Sequence, residues 1–235
     1  MTLTLAFLTL LMAGFTGWLV RQSVGVTPWI ADSAHAAPIQ VPATFTAPRV
    51  ALVVFLAVVT SVFALTISAY MMRMAASAEW QFLPQPALLW VNSGVLVLAS
   101  LALQAAWVAA KRQRQLAFGR ALGLGAACTI AFLAGQYLLW LQLGDAGYYM
   151  SAYIGSAFFV LMSALHGLHL LGGLVALTKV VTRLKQGATL AQTRELVGLC
   201  AVYWHYLLFV WIVLFVVLFV GAAPLYAMCR GGAVS

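Results

Sequence analysis

Three histidines, His166, His169 and His205, are the residues of this sequence whose type and setting could do chemistry. All three lie inside long apolar runs, where an ionisable side chain is expensive to bury and so is a functional candidate by default. His166 and His169 are spaced i, i+3 and share one face of a helix, while His205 stands beside Tyr203 and Trp204 on another run. Neutral imidazoles in such places could bind copper, and two facing ones could clamp a haem iron. A plainer use is open to the same residues. A buried imidazole must find a hydrogen-bond partner, and a carbonyl or hydroxyl of a neighbouring helix supplies one. A third use is stabilisation or contact with lipid headgroups. No acid lies inside the apolar runs to orient a metal-bound imidazole, and no run carries two histidines several turns apart, as stacking two haems would require. The residues by themselves favour the structural use.

Other chemistries have less to work with. Asp32, Glu79, Asp145 and Glu195 all fall in loops or at the ends of the runs, so no carboxylate sits where a proton-coupled carrier would need one. Cys128, Cys200 and Cys229 have no zinc-type or C-x-x-C spacing and read as packing residues. No nucleophile, base and orienting group come together in sequence.

The elements that must position these residues are set by composition. Of 235 residues, 65% are hydrophobic and 7% charged, too few charges to coat a water-soluble domain and too much apolar content for a disordered chain. Charge-free stretches run at about 2–20, 50–72, 87–110, 121–143, 152–178 and 197–223, each long enough to cross a bilayer. The expected fold is all-α: a polytopic membrane bundle of six transmembrane helices. The first run has no basic residue ahead of it and Arg21 behind it, which argues for a retained helix rather than a cleaved signal. Residues 21–49 hold Pro28, Pro38, Pro42 and Pro48 and read as an extended linker. The expected organisation is therefore an N-terminal helix (1–20), a cytoplasmic Pro-rich linker (21–49), a five-helix bundle (50–223) and a short outer tail (224–235).

The net charge of +8 is spent on orientation rather than on nucleic acid. Loops 21–49, 111–120 and 179–196 carry ten of the twelve Lys and Arg, and the opposite side carries two. By the positive-inside rule the three basic loops are cytoplasmic and both termini lie on the outer, periplasmic side. The cluster Lys111, Arg112, Arg114 fits that purpose and could also grip anionic lipid. Trp18, Trp29, Trp80, Trp90, Trp107 and Trp140 fall near run ends, where indoles settle at headgroups. Gly119–Gly125 and Gly172–Gly173 are expected to let helices approach closely.

Four stretches go beyond a generic membrane protein. Tyr153-Ile-Gly-Ser-Ala-Phe-Phe159, then His166-Gly-Leu-His169 and Gly172, form one pattern. Tyr203-Trp204-His205-Tyr206, then Val210-Trp211 and Leu214-Phe215, form a second. Leu89-Trp90-Val91-Asn92-Ser93 with Ser100 and Gln104, and Phe132 through Gln136, precede them. Together, in this order over about residues 50–220, they resemble cytochrome c oxidase subunit III. The resemblance implies an accessory subunit of a haem–copper respiratory oxidase, a complex that reduces O2 to water and pumps protons from a bacterial inner membrane. It implies the catalytic subunit I and subunit II as partners, with membrane lipids and no nucleic acid. Haem and copper are then carried by those partners and none by this chain. The role implied is support of assembly, of structural phospholipid in a cleft between helices, and of proton or O2 access. Its motif residues, Trp90, Asn92, Gln136, His166, His169, Tyr203, Trp204, His205 and Trp211, with Lys111, Arg112 and Arg114, are the candidate lipid-binding or structural positions. The family's intramembrane carboxylates are replaced near Val59, at Leu139 and at Leu208. Three alternatives stay open: a like component of a quinol oxidase or nitric oxide reductase, a haem b cytochrome using His166 or His169 with His205, and a lipid- or substrate-binding carrier lacking acidic coupling groups.

Overall fold

A computed structural model of the chain describes residues 47–76, 83–148, 153–187 and 189–220. Five helices account for nearly all of them: α1 (Ala47–Ala76), α2 (Ala87–Lys111), α3 (Gln115–Asp145), α4 (Ile154–Lys185) and α5 (Leu190–Phe215), with a π-helical turn over Val216–Val220 continuing α5. All five are long and apolar enough to cross a membrane, and no strand occurs among the described residues. The expected spans 50–72, 87–110 and 121–143 fall within α1, α2 and α3, the span 197–223 within α5 and its continuation up to the last described residue, and the span 152–178 within α4 except for its first two residues, which precede Ile154. The expected first span and most of the linker, with Trp18, Trp29 and His35, lie outside the described residues, as do Glu79, Trp80 and Cys229.

The helices overrun the apolar stretches at the basic end. α4 continues to Lys185 and α5 begins at Leu190, taking in Arg183, Arg194 and Glu195. Hydropathy marks only the part that lies in hydrocarbon, whereas backbone hydrogen bonding carries a helix on into water until something stops it. The stops are legible. Gly147 and Gly187 follow α3 and α4 with φ of 86° and 92°, a left-handed conformation that suits glycine. Thr189 caps α5, its hydroxyl accepting from Gln192 N while Gln192 Oε1 accepts from Thr189 N, a capping box.

The packing is unequal. α2 and α3 lie side by side along much of their length, α5 packs on both α2 and α4, and α1 rests more lightly on α4 and α5. The α2–α3 seam is close because it is built from small residues: Ala99, Ala102, Ala106, Ala109 and Ala110 are buried, and a side chain at Gly125 would meet Leu103 Cγ at 2.8 Å. The expectation for the glycine runs holds only in part. Gly125 and Gly173 are pressed against neighbours, but Gly119, Gly123 and Gly172 face open space. At the basic end Arg49 Nε lies 2.9 Å from Glu195 Oε1, which brings the start of α1 beside the start of α5. The pair is half exposed and contributes at most about 1 kcal/mol.

Candidate functional site

The polar groups at membrane depth converge on α5. Four consecutive residues of that helix each bond a different helix. Tyr203 Oη donates to His169 O of α4 at 2.9 Å. Trp204 Nε1 donates to Thr129 Oγ1 of α3 at 3.0 Å. His205 Nδ1 lies 3.1 Å from Ser100 Oγ of α2. Tyr206 Oη lies 2.8 Å from Thr60 Oγ1 of α1. Successive helical residues are turned by about 100°, so four in a row sweep the whole circumference. The motif Tyr203-Trp204-His205-Tyr206 thereby makes α5 the hub of the bundle.

Further ties lie at the motif itself and within the next two turns of α5. Trp211 Nε1 donates to Ser93 Oγ of α2 at 2.9 Å. His166 Nε2, on a fully buried ring of α4, bonds Leu207 O of α5 at 3.1 Å. Its ring stacks at a tilt on Trp211, with centroids 5.2 Å apart, and meets Phe132 edge-on at 5.6 Å. Gly173 completes this contact between α4 and α5, because a Cβ there would stand 2.8 Å from Trp204 Cη2 and from Tyr203 Cε1.

α2 and α3 are tied by the other motif pair. Asn92 Nδ2 donates to Phe132 O at 3.2 Å and to Gln136 Oε1 at 3.3 Å, and Asn92 occupies the space a side chain at Gly135 would need. Two buried nitrogens, Gln136 Nε2 and His166 Nδ1, have no partner among the described residues. Trp90 is exposed at the far end of α2, its ring 4.7 Å from that of Phe215. Lys111 Nζ sits 3.5 Å over the Trp107 ring, and Arg112 and Arg114 are exposed in the α2–α3 turn.

The three histidines thus share a helix hub without sharing a site. His166 is fully buried, His169 half-buried with Nδ1 2.6 Å from Leu165 O, and His205 exposed with Nδ1 2.8 Å from Ala201 O. Among the described residues no three His, Cys, Asp or Glu come together in a way that could hold a metal ion. The positions that match family carboxylates are packed: Val59 and Leu139 are buried and Leu208 half-buried. Sequence reasoning did not single out the hydroxyls Thr60 and Thr129 that receive the α5 motif, or the Ser163 Oγ that accepts from Trp140 Nε1 at 3.0 Å. A lone hydroxyl inside an apolar run was the available signal.

Beside the hub, a cleft of about 1000 Å³ opens between α1, α4 and α5. Its walls are apolar, with Leu52 and Phe55 on one side and Leu168 and Gly172 on another. His169 and Tyr203 line its depth, and Lys179 and Arg183 line its basic end. Such a shape accepts a long apolar body with an anionic end.

Fold and ties together define a polytopic helical membrane protein whose spans are held by hydrogen bonds to one central helix. No family model matches the chain. It is 29% identical over 172 residues to cytochrome c oxidase subunit 3 of Synechocystis sp., covering 71% of this chain and 72% of that protein. It is 28% identical over 131 residues to cytochrome c oxidase subunit 3 of Thermostichus vulcanus, covering 55% of this chain and 64% of that protein. These relatives, together with the motifs, support the cytochrome c oxidase subunit III family for this chain.

Proposed function

We propose that this chain is the accessory subunit III of a haem–copper respiratory oxidase in a bacterial inner membrane, bearing no haem, copper or catalytic residue of its own. The observation that carries the reading is the α5 hub: the residues that match the family motifs are engaged in tying helices to one another. Side chains spent in this way stabilise a bundle. A transport path or a redox centre would instead need them free to change protonation or ligand.

The chain crosses the membrane six times, with the N-terminal span and Pro-rich linker preceding the five-helix bundle and both termini outside. Its partners are the catalytic subunit I and subunit II, which hold the haems and copper. The cleft between α1, α4 and α5 takes a structural phospholipid, its acyl chains against Leu52 and Phe55 and its phosphate near Lys179 and Arg183. The apolar residues at Val59, Leu139 and Leu208 speak against a relay through membrane carboxylates, so support of assembly and of access to the catalytic subunit is the role that fits. Deleting the subunit tests this. Oxidase lacking it should start with normal pumping stoichiometry and then lose activity sooner during turnover. Immediate loss of pumping in fully assembled enzyme would contradict the proposal.

A further inference from the structure

Two motif residues on the spans, Trp90 and His205, stand exposed on the outside of the bundle, and of these only His205 carries an ionisable ring. It belongs to an exposed stripe on α5, Val202, His205, Phe209, Ile212 and Val216, whose 3–4 spacing is that of a helix-pairing seam. The apolar members would sit well in lipid. The imidazole would not, given its depth. Ten residues separate it from Glu195, a rise of ~15 Å, which is half of a hydrocarbon core of roughly 30 Å. Its Nδ1 lies 2.8 Å from Ala201 O, which can only accept, and 3.1 Å from Ser100 Oγ, which can accept as well, so the tautomer with the proton on Nδ1 suits both contacts and leaves Nε2 as an acceptor. A donor must come from whatever covers the stripe.

The chain contains a segment fit for that. Residues 1–46 join α1 at its first residue. The run 2–20 carries Thr2, Ala6, Thr9, Ala13 and Thr16 at the same alternating 4–3 spacing amid Leu, Phe and Met, a spacing that would gather small residues on one face of a helix. Thr9 lies twelve residues before Arg21, which in a helix would be a rise of ~18 Å and would bring it within about a turn of the depth of His205. The linker between is long enough to reach any face of the bundle, since 26 extended residues span roughly 85 Å.

We propose that the apolar segment 2–20 docks as a sixth helix on the outer stripe of α5, with the Thr9 hydroxyl donating to His205 Nε2. This rests on the six-span topology proposed above. The test uses the full-length chain in native membranes, with a photo-crosslinking phenylalanine analogue at position 209 or 212 and the products mapped by mass spectrometry. The expected product is an intrachain crosslink to residues 2–20, with yield falling roughly threefold or more in Thr9→Val, as expected for losing a hydrogen bond inside a membrane. An adduct to another protein, a lipid adduct alone, or a yield unmoved by Thr9→Val would overturn it. A cysteine at Ser33 in a background lacking the native cysteines separates the two readings. Its labelling by an impermeant maleimide from the periplasmic side would overturn the topology. Cytoplasmic labelling with lipid-only crosslinks would overturn the docking alone.

Discussion

Trp204 Nε1 donates across 3.0 Å to Thr129 Oγ1, and that hydroxyl in turn donates to Gly125 O at 2.8 Å, so both polar groups are satisfied at the centre of the bundle. Thr129→Val keeps the shape and leaves the indole N–H without an acceptor. It should lower stability by about 1–2 kcal/mol, while Thr129→Ser stays close to the parent. Thermal unfolding in mild detergent reads the difference. Equal melting of the valine and serine variants would show that the bond contributes nothing.

Neighbouring glycines of α4 provide an internal control. Gly173→Ala places a methyl against Trp204 and Tyr203 and is expected to cost about 1–3 kcal/mol, whereas Gly172→Ala meets open space and should be neutral. Equal melting of the two would mean that α4 and α5 are not in the close contact described.

His166→Ala removes the bond to Leu207 O and opens a cavity beside Phe132 and Trp211. The expected loss is about 2–4 kcal/mol, with no change in the visible spectrum of the purified chain. A haem band that vanished with this substitution would transfer the histidine from packing to ligation.

Placing carboxylates at Leu139 and Leu208 should separate these two positions. Leu139→Glu puts an acid at a fully buried site and is expected to reduce the amount of folded chain sharply. Leu208→Asp, at a half-buried position, should be tolerated better. Accumulation in membranes, measured by immunoblot against the parent, distinguishes the two; equal accumulation would place Leu139 outside the core.

The basic end of the cleft predicts a lipid phenotype. Replacing Lys179 and Arg183 together by Gln should lower retention of anionic phospholipid through purification several-fold while leaving melting within about 0.5 kcal/mol. Native mass spectrometry of the detergent-solubilised protein counts the bound lipid, and undiminished retention would remove the headgroup role.

Much of this was legible before any coordinates. Five apolar runs map onto the five helices because a membrane span is a statement about composition, which a single chain displays in full. The motif Tyr203-Trp204-His205-Tyr206 could be placed on its helix, and its sweep around that helix follows from the helical repeat. What the sequence withheld was the far end of each tie. Thr60, Ser100 and Thr129 lie on three other spans, and nothing local to them says which aromatic they meet. Helix ends were read too short at Leu190 and Lys185 because charge was taken as a boundary, although it ends the lipid contact and not the helix. The outward position of His205 was equally hidden, since of its neighbours in sequence Trp204 is fully buried and Tyr206 half-buried.

The central claim is membership of a larger oxidase as a cofactor-free subunit, and affinity purification of the tagged chain from gently solubilised membranes tests it most directly. The account predicts that the chain brings down a larger partner with the visible spectrum of haem, and that the chain itself is colourless once the partner is stripped away. Haem that stays on the isolated chain and is lost in His205→Ala, or a chain that emerges alone and colourless from intact membranes, would contradict it.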